Sequence, residues 1–281
     1  MKTFPHSFSI LAVVVVGLIT SVRGQEASES VAAPEPAPIV TPATEPRTIA
    51  EEAAVLATGR LSARRKALAR LAVHPDPQAD RLLLEQFDRY HAGELPPAIW
   101  LDFFEAAAKR NHPELKARLA EREQKLAKSQ DTLSRFRECL EGGDGEAGRV
   151  VFTTKPEAGC IRCHTVSGEG GRIGPDLTWL RNSMDRVLIM ESILAPNSSI
   201  ATGFANVALT LKNGETVTGV ATHESPEEIT VTSVVDGKLT KVKTADISER
   251  MALPSPMPPH FGAVLDKRAI RDLVEFIAAG D

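Results

Sequence analysis

Cys160-Ile161-Arg162-Cys163-His164 is the stretch on which the reading of this 281-residue chain turns. On a helical turn, side chains at i and i+3 share one side and i+4 lies beside them. Two thiols and an imidazole are therefore presented together. C-x-x-C-H is the attachment signature of a covalent c-type haem, in which each thiol forms a thioether to one vinyl group. Neutral imidazole is an ordinary proximal ligand of haem iron. The motif thus assigns Cys160 and Cys163 to the macrocycle and His164 to the iron.

Three other chemistries use the same residue types. A redox-active C-x-x-C belongs at a strand-to-helix junction of a βαβ unit, and no such alternation surrounds this one. A zinc site could draw on Cys139, Cys160, Cys163 and a histidine. Cys139, however, stands 21 residues upstream of Cys160, without a second tight ligand pair. A disulfide between helical neighbours at i and i+3 is poorly placed.

The length suits one or two domains, and 42% hydrophobic with 25% charged residues is the composition of a soluble globular chain rather than a disordered one. Residues 1–24 read as a signal peptide. Lys2 supplies the positive start, Phe8 to Thr20 the apolar run, and Val22-Arg23-Gly24 a small-residue cleavage site near Gly24. The run is short for a membrane span, so the expected location is periplasmic or secreted. Cleavage removes Lys2 and Arg23 and no acids, which moves the formal charge from −4 to −6. That balance argues against nucleic acid or an anionic membrane surface as partner. With two cysteines assigned to haem, Cys139 is left over, and its apolar-periodic surroundings point to a buried thiol.

Residues 25–47 are rich in Pro, Ala and Glu and read as a flexible linker. From 48 to 143 the pattern is helical. Helices are expected over Ile49 to Thr58, Leu61 to Val73, Asp80 to His91, from Pro97, and from Pro113 through to Leu140, with Asn111 and Pro113 as cap and first-turn signals. Leu119, Leu126, Leu133 and Leu140 recur every seven residues, like a coiled-coil seam. Short helices joined by Pro-containing turns suggest a HEAT-like α-hairpin array, although no single repeat period runs through them. The charged run from Arg118 to Lys128 reads as a solvated helix face.

The second half, 144–281, begins with a short helix from Gly145 to Phe152. Gly148 inside it costs about 1 kcal/mol against alanine, which implies close approach of another helix. The expected partner is the apolar-periodic stretch from Asp266 to Ala279. After the motif, the glycines from Gly168 to Gly174 let backbone pass close to a flat ligand. The carbonyl of Pro175 is the expected acceptor for the second ring nitrogen of His164, and Arg172 reads equally as the partner of a haem propionate or as an exposed loop arginine. Met184 to Leu194 reads as a helix stopped by Pro196.

Gly145…Gly148…Phe152, the C-x-x-C-H stretch, Gly174-Pro175-Asp176-Leu177, Leu194-Ala195-Pro196-Asn197 and Ser255-Pro256-Met257-Pro258 follow one another in that order. This set resembles the planctomycete-type haem-binding domain, a branch of the class I cytochrome c fold, over residues 144–281. The resemblance implies an electron-transfer cytochrome with one covalent haem, His/Met ligation of its iron and a helical-repeat segment upstream. Ser-Pro-Met-Pro departs from the family's Ser-Leu-Met-Pro beside the ligand rather than at it. Met257 is accordingly the expected sixth ligand, in a Pro-rich loop that lacks regular structure. Met251 and His260 are near it in sequence, and His260 would give a bis-histidine haem. Met184 and Met190 read as core.

Between Pro196 and Met257, strands are expected over Val207 to Leu211, Glu215 to Thr222, Glu228 to Val234 and Leu239 to Lys243, with turns at Asn213-Gly214 and Asp236-Gly237. The expected fold is mainly α: an N-terminal α-hairpin array and a cytochrome c-like helical domain with a small antiparallel β insertion at about 204–248. No phosphate loop, G-x-S-x-G or H-E-x-x-H accompanies the haem motif. The leading expectation is an electron carrier meeting a redox partner protein rather than an enzyme. The alternatives are an open-site haem protein, peroxidase-like or gas-binding, and a Cys/His zinc-binding scaffold.

Overall fold

The computed structural model describes residues 48–180 and 184–279. The signal peptide and linker expected over 1–47 lie outside the described residues. Helix α1 (Ile49–Thr58) opens on a capping box, in which Thr48 Oγ1 accepts from Glu51 N and the Glu51 carboxylate accepts from Thr48 N. Helices α2 (Leu61–Leu71), α3 (Gln78–His91), α4 (Trp100–Lys109, entered through a 3₁₀ turn at Pro97–Ile99) and α5 (Pro113–Ala127) follow. Their apolar faces meet in one cluster around Leu68, Leu71, Leu83, Phe87, Phe103 and Leu115. Phe87 and Phe103 pack edge to face at 4.8 Å.

Two expectations fail here for local reasons. Asn111 does not cap α5; His112 holds the N-cap position, and Asn111 Oδ1 accepts from Lys116 Nζ at 2.6 Å. The long helix to Leu140 stops at Ala127. Ser129 Oγ accepts from Asp131 N, and Asp131 Oδ1 accepts from Leu133 N, so side chains take the donors a continuing helix would use. A separate 3₁₀ helix, Thr132–Cys139, starts there. The seven-residue leucine spacing is therefore no seam. Leu119 packs on the first cluster, while Leu133 and Leu140 pack on a second.

That second cluster is built on α6 (Gly145–Thr154), capped by Asp144, and on the last helix, Lys267–Ala279. A Cβ on Gly148 would overlap the carbonyl oxygen of Asp272 and lie 2.7 Å from Phe276 Cβ. The missing side chain is what lets the two backbones cross, and Phe152 packs beside it at 5.5 Å from the Phe276 ring. Between them come a 3₁₀ turn at Cys160–Arg162, a minimal hairpin of β1 (Thr165–Val166) and β2 (Glu169–Gly170), a 3₁₀ turn at Leu177–Leu180, and α7 (Arg186–Leu194). Helix α7 starts two residues later than its expected start at Met184, because Asp185 Oδ1 accepts from Val187 N and caps it.

The sheet holds five strands rather than four: β3 (Asn206–Leu211), β4 (Thr216–Glu224), β5 (Glu228–Thr232), β6 (Leu239–Lys243) and β7 (Ile247–Ala252), antiparallel in the order β6-β5-β4-β3-β7. The described residues are about half helical, and the sheet is a sizeable second component. Strands β6 and β7 occupy opposite edges, yet only the short turn Thr244–Asp246 joins them. A flat sheet would separate its edges by about 19 Å. Four extended residue steps reach at most about 14 Å. The sheet must therefore curl, and it closes over Val207, Leu209, Ala221, Ile229, Val231 and Val242. The chain then returns through Pro254–Pro259 and the short helix α8 (Phe261–Val264) to the last helix, α9.

Helix α9 also carries ion pairs to the first half. Asp102 Oδ2 accepts from Arg65 Nε at 2.9 Å and from Arg271 Nη1 at 2.8 Å. Glu138 accepts from Arg122 and from Lys267, each at 2.7 Å. Among the described residues no helix is long and apolar enough to cross a membrane.

Candidate cofactor site

The C-x-x-C-H stretch forms a single turn on its own. Cys163 N and His164 N both donate to Cys160 O, at 3.1 and 2.9 Å. The glycine-rich loop is then sewn back onto this turn. Gly171 N donates to Ile161 O at 2.9 Å, Gly174 N to Cys163 O at 2.8 Å, and Thr165 Oγ1 to Gly171 O at 2.7 Å. Gly174 lies flush against the imidazole, since a Cβ there would stand 2.6 Å from His164 Cε1 and 2.8 Å from Nδ1. Beside it, His164 Nδ1 is 3.0 Å from Pro175 O. A carbonyl oxygen only accepts, so Nδ1 carries the proton and Nε2 keeps a free electron pair. Burial pushes the His164 pKa below its ordinary value, against an opposing pull from the Pro175 carbonyl. The ring is therefore neutral at pH 7.

One cleft takes in Cys160, Cys163 and His164 together with Met184 and Met257, among apolar walls that include Ile173, Leu177 and Phe261. It holds about 1310 Å³ of empty space, counting the part open to solvent. An apolar lining with a few convergent donors is the character of cofactor and ligand sites. Burial pushes the Cys160 thiol up to about 11 and raises that of Cys163 as well. A nucleophilic C-x-x-C has the opposite shift.

The other residues singled out from the sequence divide clearly. Met257 is half-buried and lines the cleft. His260 is exposed and is not part of the lining; its ring rests near Phe261 at 5.6 Å. Met251 sits on edge strand β7 and is 54% exposed. Met190 is fully buried core. Arg172 is exposed and outside the lining, because the bonds at Gly171 and Gly174 fix the loop with this side chain toward solvent. Cys139 is buried in the second apolar cluster, where burial pushes its thiol up to about 12. Among the described residues no three His, Cys, Asp or Glu side chains are grouped to hold a metal ion, so Cys139 does not complete a zinc set with the motif cysteines.

Met184, read from the sequence as core, packs against the second cluster and lines the cleft as well, which the sequence reading missed. The signal that could have found it is Asp185: an N-cap there leaves Met184 outside the helix, free to turn inward. The chain matches no protein-family model and no curated protein.

Proposed function

We propose that this chain is an exported c-type cytochrome that carries one covalent haem and transfers electrons to or from a partner protein. The observation that carries the reading is the convergence of two thiols, one oriented neutral imidazole and a thioether on a single apolar cleft. The residues fit a haem. Cys160 and Cys163 would form the thioethers, His164 Nε2 would face the iron, and Met257 would supply the sixth ligand. Gly174 leaves room for the imidazole plane, and Pro175 fixes its rotation and raises its basicity as an outer partner does for a metal-bound histidine. A haem bound here would supply one-electron redox chemistry at its iron, with a sulfur ligand raising the potential relative to bis-histidine ligation. The apolar walls would exclude water, and the partly open mouth would suit a small, short-lived interface with a redox partner.

The finer architecture goes with this reading. Residues 48–143 are a HEAT-like brace and 144–281 a cytochrome c-like domain with its β insertion. Export to the periplasm or beyond supplies the compartment in which covalent haem is attached.

The test is the optical spectrum of protein expressed with cytochrome c maturation machinery, with haem retention checked after denaturation. Covalent haem with a sulfur-to-iron band in the oxidised native protein and in Met184→Ala, and loss of that band in Met257→Ala, is the expected result. Absence of covalent haem overturns the reading. Equal carbon monoxide binding by native protein and Met257→Ala would replace the carrier with an open-site haem protein.

A further inference from the structure

We propose that Asn197 and Ser255 are positioning residues that hold Met257 at the cleft and so keep the sixth iron position closed. This rests on the cytochrome reading above. The stretch Pro254-Ser255-Pro256-Met257-Pro258-Pro259 has four prolines and therefore only two backbone N–H groups. Such a segment cannot fix itself with a backbone ladder. Both of its donors are spent in one relay. Ser255 N donates to Asn197 Oδ1 at 2.8 Å, and Met257 N donates to Ser255 Oγ at 3.2 Å.

Asn197 is itself well placed to act as the fixed end. It follows α7 at the turn where Ser198 N donates to Ala195 O at 2.9 Å, next to buried Pro196, which lines the cleft. The base of the loop is tied separately. Asn206 Nδ2 donates to Pro254 O at 2.8 Å, and Leu253 N donates to Asn206 O at 2.8 Å. The Asn206 ties fix where the loop starts; the Asn197–Ser255 relay fixes which way residue 257 faces. Asn197 is exposed, so water competes for its acceptor. The effect of removing it is therefore a shift in loop population of about fivefold to tenfold, the size that one hydrogen bond of ordinary net strength carries, rather than loss of the fold.

The experiment uses the full chain loaded with haem in four variants, Asn197→Leu, Asn197→Asp, Ser255→Ala and Met257→Ala. Each is read for haem retention after denaturation, the sulfur-to-iron band, the midpoint potential and carbon monoxide affinity of the reduced form. Asn197→Leu and Ser255→Ala are expected to retain covalent haem, to weaken the band, to shift the potential downward and to bind carbon monoxide about fivefold to tenfold more tightly than native protein. Asn197→Asp keeps the acceptor and stays within about twofold of native. Met257→Ala marks the fully open limit, and Ser255→Ala carries the test should Asn197→Leu not fold. If the two clamp variants match native protein while Met257→Ala does not, the clamp is overturned and the ligand assignment stands. If Met257→Ala itself matches native protein, the reading and the clamp fall together.

Discussion

At the scale of single residues, the site depends on a side chain that is absent. Gly174 presses on the His164 ring, and a methyl group there would need about an ångström that neither neighbour has, since Gly174 N is tied to Cys163 O and the ring to Pro175 O. Overpacking of this kind costs about 1–3 kcal/mol. Gly174→Ala should therefore lose stability by that amount in urea and, if the proposed haem is bound, keep it covalently while its midpoint potential shifts as the ring turns. A native potential in this variant would show that the contact does not orient the ring. A second residue-scale effect lies far from the cleft. Arg110 Nε bonds Asp80 Oδ1 at 2.6 Å, and this bond holds the Asp80 carboxyl below its ordinary value of 3.8. A carboxylate with a lowered folded pKa contributes stability that is complete above the unfolded pKa and is lost as pH falls through the folded one. Asp80→Asn should thus cost about 1.5–3 kcal/mol at pH 7. The gap from native protein should narrow below about pH 4, checked by urea unfolding at pH 7 and at pH 3. A gap independent of pH would mean the pair contributes only packing.

At the scale of elements, the crossing of α6 and α9 sets two known effects against each other. Gly148→Ala gains about 1 kcal/mol of helix propensity. It also drives a methyl group into the Asp272 carbonyl and against Phe276 Cβ, where backbone meets backbone and little can yield. The clash should win, with a net loss of up to about 2 kcal/mol after the propensity gain; higher stability in urea would mean the helices can slide apart. The glycine was legible in the sequence because its cost is local and unexplained by its own helix. The same holds for α1, whose expected bounds Ile49 to Thr58 are the ones found, and for the Cys160–His164 turn, whose spacing brings two thiols and an imidazole together. What was not legible depended on partners distant in the chain or on competition for a single donor. Strand β7 has five exposed residues out of six, so it shows no alternation, and only pairing with β3, some forty residues earlier, makes it a strand. The break after Ala127 and the release of Met184 each turn on one aspartate capping the next element instead of continuing the last. The Asn197–Ser255 contact joins two motifs 58 residues apart, which no local pattern reports.

At the scale of the whole molecule, α9 belongs to the second core and is joined to the first half by ion pairs. Its inner face closes the cluster beneath the cleft, and its Lys267, Arg268 and Arg271 pair with Glu138, Glu105 and Asp102 from the preceding half. Arg271 is almost fully buried, at 1% side-chain exposure, so its charge depends on Asp102 at 2.8 Å and more weakly on Asp272 at 3.6 Å. Removing one partner of such a pair leaves a buried charge uncompensated and costs about 3–5 kcal/mol, whereas replacing both with apolar residues of similar volume is far milder. Asp102→Ala should therefore destabilise both halves together, because Asp102 sits in the first half and the stranded guanidinium sits on the helix that closes the second core. The measurement is urea unfolding followed by two probes, the fluorescence change expected around Trp100 in α4 and the absorbance of the proposed haem. Coincident curves that shift together in Asp102→Ala, with much of the loss recovered in Asp102→Leu/Arg271→Met, are expected. They would make the helical segment a structural part of the candidate site, since unfolding it would release the helix that walls the cleft. Separate transitions, with only the fluorescence curve moved by Asp102→Ala, would show that the charges join two surfaces without coupling their stability, and the helical half would then need another reason to be there.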